Sequence, residues 1–582
     1  MNAAGRPTVG SVRAAAARGP TLAAVLLLAA LALLVFARTV SFDFVHLDDD
    51  VYVTHNPQVA AGLSAHGVRW AFTTTHAGFW QPLTWLSLML DAQLFGLKAG
   101  GFHATNVALH VLNTVAIFLV LKSLTGAAAR SLVVAALFAV HPLHVESVAW
   151  VTERKDLLFA AFGFAALGAY VRYARRPRNG GMALVALAYA GSLMAKQMLV
   201  TLPFLLLALD YWPLDRLGLG RNPRPGRTAL AALVVEKTPL ILLAAVFSAV
   251  AYAAQRSWGA VTESATLPLT TRLGAACVAY AGYLGKAIWP ARLSAIYLSP
   301  DSGHPWPLIG ISAVLLLLAS AIVVMARRPP LTVGWVWFLG TLVPVIGIVQ
   351  IGMQFMADRF MYLPLVGLLV AGVWSAGDFL ARRRGGRMAG RLLAVAVTAA
   401  LLVTAAARTS AWRDSASLFG DALASDPRNW LARYFLGNAL LEQRRFAEAA
   451  ESYGEGLRMH PNFRRGRNNL GLALLELDRP EEAVVQFRLS ILGKADDPLP
   501  HANLGDALAR LGRTAEAISQ LREAVRLNPA NIQARNNLGS LLAREGHAGE
   551  ARAQFAEALR IAPGYATARA NLERLDRAAG RK

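Results

Sequence analysis

Between positions 21 and 408, apolar runs recur at close to the length a bilayer demands, about 20 residues for a helix crossing a hydrocarbon core of ~30 Å. They fall near 21–38, 104–121, 131–143, 156–174, 182–195, 197–213, 238–254, 306–326, 331–350, 359–379 and 391–408. Of the 582 residues 55% are hydrophobic and only 16% are charged, with a mean hydropathy of +0.41. Soluble domains carry about 25% charged residues. No single water-facing core could absorb so much apolar surface, so lipid must be part of the solvent. The expected architecture is all-α, with a polytopic membrane helix bundle over 21–408 after a stub at 1–20. Arg6, Arg13 and Arg18 precede the first run as they would in a signal peptide. The following Ala37-Arg38-Thr39-Val40 is a poor cleavage site, so this run reads as an uncleaved anchor.

The formal charge is +22. Its placement argues against nucleic-acid binding, because the basic residues gather in short loops between apolar runs. The stub, Arg172/Arg175/Arg176/Arg178, Arg221/Arg224/Arg227, Arg327/Arg328 and Arg382/Arg383/Arg384/Arg387 form five such clusters. By the excess of Lys and Arg in cytoplasmic loops, all five face the cytoplasm. The loop 40–100 carries Asp43, Asp48, Asp49, Asp50 and Asp91 against Arg69 and Lys98, and fits the outside. Every cluster stays inside only if 272–290 is re-entrant or interfacial. Eleven crossings then remain, which puts the C-terminal half outside. The lone Cys277 excludes an intrachain disulfide framework and a cysteine-rich zinc site. No glycine-rich phosphate loop of the Rossmann or Walker type is present, which argues against a cytosolic nucleotide-using domain.

The composition changes near residue 410. Leu-Gly pairs then recur at 436–437, 470–471, 504–505 and 538–539, Ala449, Ala483, Ala517 and Ala551 keep the same interval, and so do Pro427, Pro461, Pro529 and Pro563, with Ala495 replacing the missing proline. A 34-residue period with this pattern is the tetratricopeptide signature, a helix–turn–helix unit that buries its apolar face only against its neighbours. The domain 409–582 is therefore a repeat superhelix: a half-repeat with Phe419 and Ala422, four full repeats over 430–563, and a capping helix at 566–579.

Three adjacent carboxylates, Asp48-Asp49-Asp50, stand just after the first span, followed by Asn56 and Pro57. Acidic residues contribute little to topology, so their position favours a binding or catalytic loop over a solvated charge run. Carboxylates suit hard divalent cations; the sequence is compatible with a metal and does not require one. His141-Pro142-Leu143-His144-Val145-Glu146 forms a second cluster, followed by Glu153-Arg154-Lys155-Asp156. His141 and His144 have zinc-like spacing but no third ligand at a suitable distance, and they could equally cap the helix that Pro142 ends. Arg154 and Lys155, Lys196 between two apolar runs, and Arg359 beside Asp358 are candidates to hold an anionic group such as a lipid phosphate. Interfacial snorkelling and structural ion pairing are the bland alternatives.

Taken together, the chain resembles bacterial relatives of the transmembrane and tetratricopeptide repeat-containing (TMTC) protein O-mannosyltransferases. The resemblance rests on Leu47-Asp48-Asp49 with Asn56-Pro57, Gln81-Pro82-Leu83-Thr84, Gly101-Phe102-His103 with Asn106 and His110, His141 to Glu146 through Asp156-Leu157-Leu158, and then the repeats. Gln81 departs from the family pattern, which has Arg before Pro-Leu-Thr. The resemblance implies a GT-C glycosyltransferase fold and a polyprenyl-phosphate-linked sugar donor. It further implies transfer with inversion to a protein Ser or Thr hydroxyl on the non-cytoplasmic side of the bacterial inner membrane. Asp48 and Asp49 match the family's acidic pair, which implies that one is the base and the other orients it or the acceptor; Asp48 is the expected base, with the reverse assignment open. Asn469, Asn503, Asn537 and Asn571 recur every 34 residues and resemble the asparagine ladder of the O-GlcNAc transferase repeats, which implies that an acceptor polypeptide lies in the repeat groove; an exposed polar helix position is the alternative. The competing reading is a non-catalytic membrane-anchored scaffold for envelope protein assembly, but an anchor needs one span rather than many.

The charge pattern yields a topology test. A reporter active only outside the cytoplasm, fused after residue 410, should be active. Protection of Ala566–Lys582 from protease in intact spheroplasts, lost on lysis, would reverse the assignment.

Overall fold

The computed structural model describes residues 9–218, 226–258, 268–298, 306–348, 356–578 and 580, and its regular elements there are helices. The chain divides into two compact units, Met1–Ser425 and Asp426–Lys582.

In the first unit, seven helices among the described residues are long and apolar enough to cross a membrane. The pair Ala128–Ala139 and Pro142–Ala149, bent by 54°, would make an eighth. This is fewer than the eleven expected, because an apolar run is not always one long helix. Lys196 is extended and ends the helix Gly181–Ala195 after 15 residues. The next helix, Leu202–Tyr211, has 10 residues, and Pro329–Leu342 has 14. At 1.5 Å per residue these span roughly 15–22 Å, short of the ~30 Å core. The segment expected to be re-entrant or interfacial lies in the helix Leu269–Ile288, which is not among the candidate spans. Seven crossings keep the odd parity of the expected eleven, and eight reverse it. Leu34, Leu187, Val235, Leu317 and Val395 are exposed on these helices, as lipid-facing side chains would be.

Helix packing here uses small residues for close approach. A Cβ on Gly334 would stand 2.3 Å from the Gly367 carbonyl oxygen, and one on Gly367 would stand 2.5 Å from that of Gly334. Only glycine lets Pro329–Leu342 and Pro364–Ala381 cross this closely. The loop 40–100 is an ordered substructure with a core of its own. Tyr52, Val53, Val59, Trp85, Leu88 and Met89 are buried with Phe102 and Val151 of the helical bundle.

A buried charge network ties three further elements together. Lys237 Nζ lies 2.6 Å from Asp210 Oδ2 and 3.2 Å from Glu236, and Arg216 bridges the same two carboxylates at 3.2 and 2.7 Å. The Tyr170 hydroxyl donates to Asp210 at 2.7 Å. Two acids and two bases balance, which is what makes burial of Asp210 and Lys237 tolerable.

The helix Ser415–Ser425, expected as a half-repeat, clusters with the first unit, so the compact-unit boundary falls later than the 408/409 break. Its Ser415 hydroxyl accepts from the His46 amide at 2.9 Å, and the Ser425 hydroxyl donates to the Leu293 carbonyl at 3.2 Å.

The second unit consists of four antiparallel helix pairs, from Trp430–Glu442 with Phe446–Met459 to Ile532–Arg544 with Ala548–Ile561, closed by Ala566–Ala578. The period has a steric cause. A Cβ on Gly437, Gly471, Gly505 or Gly539 would meet Tyr453, Phe487, Leu521 or Phe555 at 2.5, 2.6, 2.6 or 2.8 Å. Each first helix thus gives up a side chain so that a large apolar residue of the second can lie against it. Ala449, Ala483, Ala517 and Ala551 are fully buried at the same pairings.

Lys237→Met should destabilise the purified protein by about 3–5 kcal/mol, because it removes the closer of the two cations on buried Asp210 and leaves two carboxylates sharing Arg216 alone. Thermal unfolding in detergent reads this, and an unchanged midpoint would refute it.

Candidate functional site

The acidic run is fastened by its middle residue. Asp49 is fully buried, and its Oδ2 accepts from the Val45 amide at 2.9 Å. Its Oδ1 accepts from the Thr152 amide at 2.9 Å and from the Thr152 hydroxyl at 2.5 Å. Burial outweighs these donors and holds the carboxyl up at about 6. Being fully buried, Asp49 presents no surface to a ligand in this structure. Asp48 is half-buried, lies among Lys155, Glu153 and Arg359, and is also pushed up to about 6 by burial.

Beside Asp48 lies a network of charges. Arg359 pairs with Glu146 through its guanidinium and donates its amide to the same carboxylate at 3.0 Å. Its Nε is 3.3 Å from Glu153, which Lys155 approaches at 3.2 Å and Lys196 at 3.3 Å. Lys196 also holds Asp156 at 2.5 Å, and the Ser147 hydroxyl donates to that carboxylate at 3.2 Å. Aromatic faces cover the cations: Lys155 lies 4.8 Å from the Tyr52 ring, and Arg359 lies 5.3 Å from Trp150 and 5.0 Å from Phe360. Arg359 and Lys196 keep 14% and 13% of their side-chain surface open, against 7% for Lys155. Counting Asp48, these groups carry one more carboxylate than cation.

The structure thus brings together Asp48, Glu146, Lys155, Lys196 and Arg359, with Asp49 behind them. Arg154 does not join them. It is fully buried and donates to Asn106, to Ser87 at 2.9 Å, to the Phe102 carbonyl at 2.8 Å and to Asp91 at 2.6 Å. With its donors so committed, Arg154 cannot hold a ligand phosphate, and that expectation is corrected. Asn56 is a helix cap, its side-chain oxygen accepting from the Gln58 and Val59 amides. His141 caps the turn at Pro142 by accepting from the Leu143 amide at 3.2 Å, and its other nitrogen lies 3.2 Å from the Ala287 carbonyl. One nitrogen of His144 lies 2.8 Å from the Phe138 carbonyl. Among the described residues no three His, Cys, Asp or Glu side chains converge to hold a metal ion. The site does not fit one. Gln81 is buried, and its side-chain nitrogen has no hydrogen-bond partner among the described residues.

Glu153, the carboxylate shared by all three cations, is missing from the sequence-derived site. Its signal was available: four charged residues in succession at the start of an apolar span.

In the repeats, the four ladder asparagines are half-buried and donate within the array. Asn469 donates to Asn438 at 2.9 Å, Asn503 to Asn468 at 2.9 Å, Asn537 to Asp506 at 2.7 Å and Asn571 to Asn536 at 2.9 Å. Each bond reaches back into the preceding repeat, so these nitrogens join repeats. What the ladder retains for a peptide is the remaining acceptor capacity of its amide oxygens and the second N–H of Asn503 and Asn537.

A tetratricopeptide repeat family model (TPR_16) matches residues 401–462, 436–498 and 503–566. Among curated proteins, the protein O-mannosyl-transferase Tmtc1 of Drosophila melanogaster is 30% identical over 178 residues, 30% of this chain and 21% of that protein. TMTC1 of Mus musculus is 34% identical over 181 residues, 29% and 18% of the two chains, and TMTC4 of Homo sapiens is 33% identical over 184, 28% and 25%. The chain is similar to the TMTC proteins in its repeats. The matches span about a fifth to a quarter of those relatives' length. Among solved structures, YrrB, a TPR protein with an unusual peptide-binding site, is 23% identical, covers 26% of this chain and 79% of its own, and has a TM-score of 0.24. The type IV pilus biogenesis factor PilW is 22% identical, covers 32% and 84%, and scores 0.27. At such scores these superpositions carry no functional argument.

Removing the Asp49 anchor has a measurable consequence. Each hydrogen bond to a charged group is worth about 1.5–3 kcal/mol, so Asp49→Ala should lower thermal stability by at least one such bond. Thr152→Val should do so by about the same amount. Additive losses in the double variant would show that the two do not interact.

Proposed function

We propose that the protein is a membrane glycosyltransferase that moves a sugar from a polyprenyl-phosphate-linked donor to a Ser or Thr hydroxyl of a polypeptide on the non-cytoplasmic side. The observation that carries this reading is Asp48, an accessible carboxyl in a low-dielectric setting beside partly open cations. The names of the relatives and the family motifs in the membrane half support the same class. The resemblance supplies the donor and the side, and the bacterial inner membrane is the proposed location.

A serine or threonine hydroxyl is a weak nucleophile until a base takes its proton. Asp48 is that base. The acceptor oxygen attacks the anomeric carbon, its proton passes to Asp48, and the carbon–oxygen bond to the lipid phosphate breaks with its electron pair leaving on the phosphate. One displacement inverts the anomeric centre. Arg359, Lys196 and Lys155 stabilise the charge that develops on the leaving phosphate. Their carboxylate partners hold them in position but also compete with the phosphate, so its contact falls to the open edges of Arg359 and Lys196. Asp49 is the positioning residue, fixing the backbone that carries Asp48. The repeats bind the acceptor, with the ladder oxygens accepting from its backbone amides.

The test is transfer from a polyprenyl-phosphate sugar to Ser/Thr peptides by the full chain in vesicles, with the product's anomeric configuration read by NMR. Asp48→Asn should fold normally and lose about 10²–10⁴-fold in turnover. A base must be ionised to work, so wild-type kcat/KM should rise with pH through about 6. Asp48→Asn should lack that limb. Full transfer by a folded Asp48→Asn would sink the assignment, as would retention of configuration.

A further inference from the structure

We infer that the end of the membrane unit remote from Asp48 holds a structural anionic glycerophospholipid. A groove of about 620 Å³ opens between the helices Ala128–Ala139, Pro364–Ala381 and Gly386–Thr409. Its mouth carries Arg130, Arg387 and Arg391, and its walls are otherwise apolar, with Gly390 and Ala394 leaving the space open. Arg359 precedes the start of Pro364–Ala381, whereas the arginines lie around that helix's far end, about 25 Å away at 1.5 Å per residue. The groove is therefore separate from the charge network beside Asp48.

The charge at the mouth is uncompensated. Arg130 is paired with Asp378 at 2.7 Å, but Arg387 and Arg391 make no ion pair among the described residues. They stand one helical turn apart on the face that also presents Gly390, Ala394 and Val397 to the groove. From Arg387 to Val397 the groove runs about 15 Å, half of a ~30 Å hydrocarbon core. An apolar slot one leaflet deep, capped by two free guanidinium groups, matches an acyl chain below a phosphate headgroup. A polyprenyl chain would overrun it. Basic pockets between membrane helices are a recurrent way of holding anionic headgroups.

The full chain, purified in detergent, should be exchanged into phosphatidylglycerol or phosphatidylcholine with identical acyl chains, and retained lipid counted by native mass spectrometry. Phosphatidylglycerol should be retained in preference by about tenfold or more, the scale set by two arginines at an anionic surface. Arg387→Gln with Arg391→Gln should abolish the preference, whereas Arg382→Gln with Arg384→Gln, which lie outside the groove, should leave it. Gly390→Phe with Ala394→Phe keeps the arginines but fills the slot, and should lose the retained lipid. A preference that survives the first pair, falls equally with the control pair, or persists in the filled groove would overturn the inference. None of these variants touches Asp48 or its neighbours, so the outcome does not depend on the proposed transferase activity.

Discussion

The geometry around Asp48 depends on one buried carboxylate. Asp49 joins the turn at Val45 to Thr152, more than a hundred residues further along the chain, by three hydrogen bonds. Without it, the segment 45–50 would be an ordinary acidic loop in water. With it, the adjacent Asp48 is held among Lys155, Glu153 and Arg359. Three donors do not bring the Asp49 carboxyl down to the ordinary range, because the cost of burying its charge is larger.

From Thr152 onward, successive residues serve different partners. Thr152 meets Asp49, Glu153 gathers three cations, Arg154 clamps Asp91 and Asn106, and Asp156 takes Lys196. A 3₁₀ turn followed by the first turn of a helix makes this divergence geometrically simple. It also means that each neighbouring element is fixed to the same short stretch. In surroundings this apolar, buried charges need partners: the network at Asp210 balances two acids with two bases, and the one beside Asp48 pairs its three cations with Glu146, Glu153 and Asp156 and leaves the Asp48 carboxyl in excess.

The two units have different origins of order. In the repeats, each helix finds its partners within one or two periods, so a local pattern of glycine, alanine and bulky residues is sufficient. In the membrane unit, Arg359 reaches Glu146 and His110 reaches Tyr362 at 2.8 Å across more than two hundred residues. No local pattern encodes such pairings.

The sequence alone determined what repeats or persists. Apolar length announced the membrane helices, the 34-residue period announced the repeats, and the charged stretches at 48–50 and 153–156 marked where the polar chemistry of the membrane half would lie. It read as single crossings some apolar runs, such as those on either side of Lys196, that the structure divides into helices shorter than a bilayer-spanning length. It could not tell Arg154 from Lys155, since adjacent residues with the same charge point in different directions on a helix. Nor could it see that Asn56 caps a turn, or that the ladder amides join repeat to repeat. Those outcomes depend on which side chains meet and on whether a charge finds a partner before it finds a ligand. Only the tertiary structure decides that, because hydrogen-bond donors and burial are properties of neighbours in space.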